Sequence, residues 1–142
     1  HVPFFVVGPG LKPLTIDDLV LNIDVMPTIL ELAGIKKDAS LHGRSLLPLL
    51  QNKKIKARES FIYEGLGTYG GAKPNLTAVS KHFRYIETYS DENLNEVIYR
   101  ELYDQRMDTD EMINLIEKPR MQKTVKRLSK SIEEHRKNIV KK

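Results

Sequence analysis

Clustered carboxylates and scattered histidines are the side chains of this 142-residue sequence that could do chemistry. Asp104, Asp108, Asp110 and Glu111 could attract calcium, but they lack the glycine and the terminal glutamate spacing of an EF-hand. We therefore expect them to cap a solvated turn. The histidines belong to no carboxylate motif, and their positions are 1, 42, 82 and 135. Neither HExxH nor a nucleophile elbow is present. The sequence predicts no catalytic residue and no metal ligand.

One segment has the composition of a ligand-approaching loop. Residues 65–71 read GLGTYGG and contain four glycines. Because glycine has no Cβ, such a backbone is mobile and can come close to a ligand. The alternative interpretation is an ordinary flexible connector, and the sequence leaves both open.

Composition limits the function classes further. The chain has no cysteine, which excludes a disulfide or a thiolate metal site, and it has no run of eighteen apolar residues to span a membrane. The first residue, His1, is neither a start methionine nor part of a signal peptide, so we expect a piece of a longer chain. The net charge of +4 is uneven, because residues 118–142 carry +8 and the remaining residues carry −4.

The first part of the chain predicts one strand and two helices. The apolar run at residues 2–7 is typical of a buried parallel strand. Asp24 is expected to cap a helix that has Pro27 in its first turn and ends at Gly34. Ser45 is expected to cap a second helix that continues to Leu50. One buried stripe is predicted on the first helix, formed by Leu19, Ile23, Met26, Leu30 and Ala33.

The second part predicts an antiparallel sheet and a terminal helix. Strands are expected at residues 60–64, 76–79, 83–88 and 97–103, with a hairpin turn at Ser80-Lys81-His82. Asp108 and Glu111 fit a capping box. Pro119 opens the last helix, which is basic and has an apolar stripe formed by Met121, Val125, Leu128, Ile132, His135 and Ile139. This helix either docks on the domain or binds an acidic surface, a membrane or nucleic acid.

Two ordered motifs resemble the sulfatase family. The first is Val20-x-x-x-Asp24-x-x-Pro27-Thr28-x-Leu30-x-Leu32-Ala33-Gly34 followed by the stretch GRSLLPLL at residues 43–50. The second is ELYD at residues 101–104 followed by Asp108-x-Asp110-Glu111-x-x-Asn114-Leu115, with Thr109 where proline is common. The VVGPGLKP phrase at residues 6–13 is similar to N-acetylglucosamine-6-sulfatases. The resemblance covers residues 1–120.

The resemblance implies a C-terminal fragment of an α/β enzyme with the alkaline-phosphatase-like fold. The parent enzyme is expected to hydrolyse sulfate esters of a sulfated sugar with calcium and a formylglycine nucleophile. No residue here matches the family's catalytic or calcium positions, so this chain alone is expected to be inactive and to hold no cofactor. Its expected contribution is core packing and loops at the substrate cleft. The candidate substrate-binding residues are Glu64, Tyr69 for sugar stacking and Lys73 for an anionic neighbour.

This interpretation divides the chain into three parts. Residues 1–58 end the α/β core, residues 59–117 form a small antiparallel subdomain, and residues 118–142 form the basic helix. Nucleic acid is not an expected partner and no membrane span is expected, while the family resemblance implies a periplasmic, secreted or lysosomal location. The alternatives are a related phosphodiesterase or phosphonate hydrolase, or a binding module that uses the basic tail.

Overall fold

The computed structural model describes residues 3–66 and 71–139. The chain divides into two compact units, His1–Arg58 and Glu59–Lys142. The three-part division stays a prediction.

The first unit contains two short helices. A 3-10 helix at Asn22–Asp24 leads into α1 at Val25–Leu32, and α2 spans Leu47–Leu50. Gly34 ends α1 as predicted, with a φ of 69° and a 2.8 Å hydrogen bond from the Ile35 N–H to the Leu30 carbonyl. The Ser45 hydroxyl accepts the Leu47 N–H at 3.1 Å, although the helix that follows has only one turn.

Asp24 is the buried centre of the first unit, with a fully buried side chain. Asp24 is the N-cap residue of α1, as predicted, but its side chain does not accept the N–H groups of the first turn. Its carboxylate accepts the N–H of Leu21 and of Arg44, each at 2.9 Å, and both of its oxygens accept Arg58 guanidinium N–H groups at 2.7 Å. Burial raises the pKa of Asp24, but these hydrogen bonds and the Arg58 charge outweigh it and hold the pKa below 3.8. One carboxylate thus joins three segments.

Two further contacts hold residues 43–46 against the start of α1. The Thr28 hydroxyl donates to the Asp24 carbonyl at 2.6 Å and accepts the Leu46 N–H at 2.8 Å. A Cβ on Gly43 would lie 1.9 Å from the Ile23 carbonyl oxygen, so only glycine fits where the two backbones touch.

Two sequence predictions for this unit are wrong within the described residues. The residues at 3–7 form no strand, and Phe5 is 86% exposed, because no described strand offers the hydrogen bonds that such a run needs. The predicted stripe is not buried, since Ile23 and Met26 are about half exposed. Hydrogen bonding of Asp24 and Thr28 turns the opposite side of α1 inward.

The second unit is a four-stranded antiparallel sheet, as predicted. Its strands are β1 (Ser60–Gly65), β2 (Asn75–Ser80), β3 (Phe83–Tyr89) and β4 (Val97–Asp104), in the order β1-β2-β3-β4. The register places Ile62 opposite Ala78 and Tyr85 opposite both Ala78 and Leu102. Alternation therefore gathers these four side chains on one face.

A long helix packs on that face. Pro119–Met121 forms a 3-10 turn that leads into α3 at Gln122–Ile139, as Pro119 predicts. Leu128 and Ile132 are fully buried in the core with Leu76, Tyr85 and Leu102. This confirms the apolar stripe for the side chains that the structure describes, and that of Ile139 lies outside them. The interpretation that the helix docks on the domain is confirmed.

The turn between β4 and α3 differs from its prediction. Asp108 accepts the N–H groups of Met112 and Ile113 at 2.9 and 2.8 Å, which confirms a capped turn. No helix follows it before Pro119, and Glu111 completes no capping box. Glu111 has a φ of 58° and its carboxylate pairs with Arg84 at 2.6 Å, so its side chain faces the sheet.

Replacing the buried carboxylate tests the role of Asp24. We expect Asp24→Asn to lower the free energy of unfolding by about 2–4 kcal/mol at pH 7, because it leaves the partly buried Arg58 guanidinium without its counter-charge. Denaturant unfolding of the 142-residue chain measures this, and Asp17→Asn is the control on an exposed aspartate.

The loss of stability caused by Asp24→Asn should become smaller at low pH. Because the folded pKa of Asp24 is lowered, the wild-type contribution is complete above the unfolded pKa of about 3.9 and disappears as the pH falls below it. The difference between wild type and variant should therefore shrink below about pH 4. An equal difference at pH 3 and pH 7 would contradict this account.

Candidate substrate-contacting end of the sheet

Two loops leave the sheet at the same end. Gly65 at the end of β1 and Thr88 near the end of β3 both lie opposite Asn75, the first residue of β2. Leu66 and residues 71–74, which are the described residues between β1 and β2, therefore lie at the same end of the sheet as the segment 90–96, which follows β3. We call them the loop end of the sheet.

Of the three predicted substrate-binding residues, the structure places Lys73 at the loop end and Glu64 in the adjoining strand β1. Glu64 lies in β1, and its Oε1 is 2.6 Å from Nε2 of His135 on α3. Lys73 is exposed, and its Nζ donates to the Ser90 carbonyl at 3.3 Å, which joins the two loops. Tyr69 lies outside the described residues. Substrate binding by these residues stays a prediction.

A side chain at Gly65, the last residue of β1, would displace the Asn75 side chain on the neighbouring strand. A Cβ on Gly65 would lie 2.6 Å from the side-chain nitrogen of Asn75 on the neighbouring strand. Without a side chain, Gly65 leaves room for the Asn75 amide, whose Oδ1 accepts the Thr77 hydroxyl at 3.2 Å.

Hydrogen bonds order the loop after β3. Asp91 accepts the Asn93 N–H at 2.7 Å, and this bond together with others to the same carboxylate holds the pKa of Asp91 below 3.8. Arg136 of α3 donates to the Leu94 carbonyl at 2.6 Å and lies 5.3 Å from the centre of the Tyr89 ring. The loop is thus fixed from within and by the helix.

A buried carboxylate lies under α3 and was not predicted from the sequence. Glu87 is 5% exposed, and it accepts the hydroxyls of Tyr85 and Tyr89 at 2.7 Å and of Ser129 at 3.3 Å. Arg100 lies 3.7 Å away and supplies positive charge. Burial, and then the bond to Glu87, raise the pKa of Tyr85 to about 12 and also raise the pKa of Tyr89.

The alternation of residues along β3 is the sequence pattern that could have predicted this network. In the sequence FRYIETY, one face of β3 carries Phe83, Tyr85, Glu87 and Tyr89. A lone carboxylate in a row of aromatic residues is the pattern that could have identified it.

Few charged groups lie among the described residues of the loop end. Residues 3–66 and 71–139 contain no group of three or more histidines and carboxylates that could hold a metal ion. They therefore do not fit a calcium site. Over the same residues, no helix is long and apolar enough to cross a membrane. At the loop end, Lys73 offers a positive charge beside the Ser90 carbonyl.

Comparison with known proteins identifies the chain. The family model described as N-sulphoglucosamine sulphohydrolase, C-terminal, matches residues 1–138. The chain belongs to the sulfatase family. This confirms the family predicted from the two ordered motifs.

Individual relatives agree with the family. Arylsulfatase K of Rattus norvegicus is 33% identical over 122 residues, which cover 81% of this chain and 21% of the relative. The solved structure of a 2-O GAG (glycosaminoglycan) sulfatase aligns with a TM-score of 0.72 and 27% identity over 90% of this chain and 28% of that one. This sulfatase chain thus spans about a fifth of the curated relative's length.

The fold extends to another class of hydrolase. A phosphonate monoester hydrolase from Silicibacter pomeroyi aligns with a TM-score of 0.69 and 22% identity, covering 93% of this chain and 28% of that one. At this identity the likeness concerns the fold alone. Both structural neighbours confirm the predicted alkaline-phosphatase-like class with a small antiparallel sheet and a terminal helix.

The Glu87 network predicts a stability cost at the helix–sheet contact. We expect Glu87→Gln to lower the free energy of unfolding by about 1–3 kcal/mol, because glutamine has one acceptor oxygen and leaves one buried tyrosine hydroxyl without an acceptor. Chemical denaturation gives the value, and Glu92→Gln, on an exposed loop, should change it little. An unchanged free energy of unfolding in Glu87→Gln would contradict this role for the carboxylate.

Proposed function

We propose that this chain is the C-terminal part of a sulfatase that hydrolyses sulfate esters of a sulfated sugar. The family match over residues 1–138 is the observation that carries the proposal. The name of that family model and the 2-O GAG sulfatase among the structural neighbours support a sulfated sugar as the substrate class.

In this proposal the chain supplies no nucleophile and no metal ligand. Formylglycine and calcium are expected from other parts of the enzyme, since the described residues do not fit a calcium site. The chain contributes core packing and part of the substrate cleft. The exposed apolar row of α1, which includes Met26, Ile29 and Leu32, is a face that the larger catalytic part can cover.

Lys73 is the residue that we propose for substrate contact. It is exposed, its ammonium group is held at the loop end by the Ser90 carbonyl, and an ammonium group is a natural partner for a sulfate or carboxylate of the sugar. Glu64 is engaged with His135, so its proposed part is to hold α3 beside the loop while its other carboxylate oxygen faces the sugar.

Phosphonate ester hydrolysis is the second candidate, because the phosphonate monoester hydrolase shares the fold. The full-length enzyme should be assayed with sulfated glucosamines and with a phosphonate monoester under the same conditions. Faster turnover of the sulfate ester supports the proposal. Turnover of the phosphonate ester alone would replace it with the second candidate.

The contribution of Lys73 can be isolated within that enzyme. We expect Lys73→Met to raise KM for a sulfated sugar roughly tenfold and to leave kcat nearly unchanged, because it removes one charge-assisted contact made outside the reacting atoms. Lys81→Met is the matched control, since Lys81 is an exposed lysine in the turn at the opposite end of the sheet. If the two variants have the same KM and kcat, Lys73 does not contact the substrate.

A further inference from the structure

Cations and apolar side chains lie on opposite faces of α3. Lys123, Lys126, Arg127 and Lys130 are all exposed. At 3.6 residues per turn they fall within an arc of roughly 100°. Leu128 and Ile132 point the other way and are fully buried. We call the four cations the basic face of α3.

The basic face is not neutralised by its surroundings. The sequence has no aspartate or glutamate between Lys118 and Ile132, and Lys118 and Arg120 add two more exposed cations just before the helix. Among the described residues, Lys130 pairs with Glu134 at 3.7 Å, whereas no ion pair is seen for Lys123, Lys126 or Arg127. Positive potential therefore accumulates on this side of the helix.

We propose that the basic face of α3 binds an extended sulfated polysaccharide. This rests on the proposed function, in which the substrate class is a sulfated sugar. A sulfated polymer carries a row of permanent negative charges, which complements a row of exposed ammonium and guanidinium groups. The contact would hold a long chain while one of its sugars occupies the cleft.

Other polyanions fit the helix less well. Residues 118–139 contain no phenylalanine, tyrosine or tryptophan on which a nucleic-acid base could stack. The apolar face of α3 is buried against its own sheet and is therefore not available to insert into a bilayer. A sulfated polysaccharide can bind through charge alone, since it needs neither an aromatic residue for stacking nor an apolar face for insertion.

Binding of heparin by the 142-residue chain tests the proposal. The triple variant Lys123→Gln/Lys126→Gln/Arg127→Gln is compared with Lys36→Gln/Lys53→Gln/Lys54→Gln, which removes the same charge from exposed lysines of the first unit. We expect wild type to bind heparin, and the slope of log affinity against log salt to fall by about 2 to 3 in the first variant. The second variant should retain the wild-type slope. Circular dichroism checks that both keep their helix.

Three outcomes would overturn the proposal. They are no heparin binding at low salt, an equal loss in both variants, and equal affinity for single-stranded DNA and heparin. In the full-length enzyme, the helix variant should raise KM for the polymer several-fold and leave KM for a sulfated monosaccharide unchanged. An enzyme inactive on all sulfate esters contradicts the proposed function, whereas the heparin result concerns the basic face alone.

Discussion

A carboxylate buried between a helix and a sheet is the constraint on which the second unit depends. Glu87 accepts hydrogen bonds from the hydroxyl groups of two strand residues and one helix residue, and it thereby joins the strand to the helix. A buried charge is tolerated only when its lone pairs are satisfied, so the helix and the strand must meet in one register. That register directs the apolar stripe of α3 inward and its cations outward. It also brings His135 and Arg136 to the loop end of the sheet.

The first unit also depends on a buried carboxylate whose hydrogen-bonding oxygens are satisfied, but the partners are of a different kind. There, Asp24 is satisfied by a guanidinium and by backbone N–H groups that lie far apart in sequence. These bonds fix the side of α1 that faces inward, and they leave an apolar row outside. In the proposed enzyme that row packs against the catalytic part.

Local patterns predicted much of this architecture. Alternation and turn residues located all four strands, and proline and glycine located the start of α3 and the end of α1. The buried side of α1 was not predictable from apolar spacing, because hydrogen bonds of Asp24 and Thr28 decide it. The strand expected at residues 2–7 needs partners that no local pattern supplies. Candidate site residues followed from loop composition, while the contacts of Glu64 with His135 and of Lys73 with Ser90 depend on tertiary folding.

The central claim is that this part of a sulfatase contributes substrate contacts from the loop end of its sheet and no part of the reacting centre. A crystal structure of the full-length enzyme with a sulfated sugar bound tests it most directly. The account predicts that Nζ of Lys73 lies within hydrogen-bond distance of the sugar, and that every metal ligand and the nucleophile lie outside these 142 residues. A sugar bound without contact to residues 64–73, or a metal ligand among the residues of this chain, would contradict it.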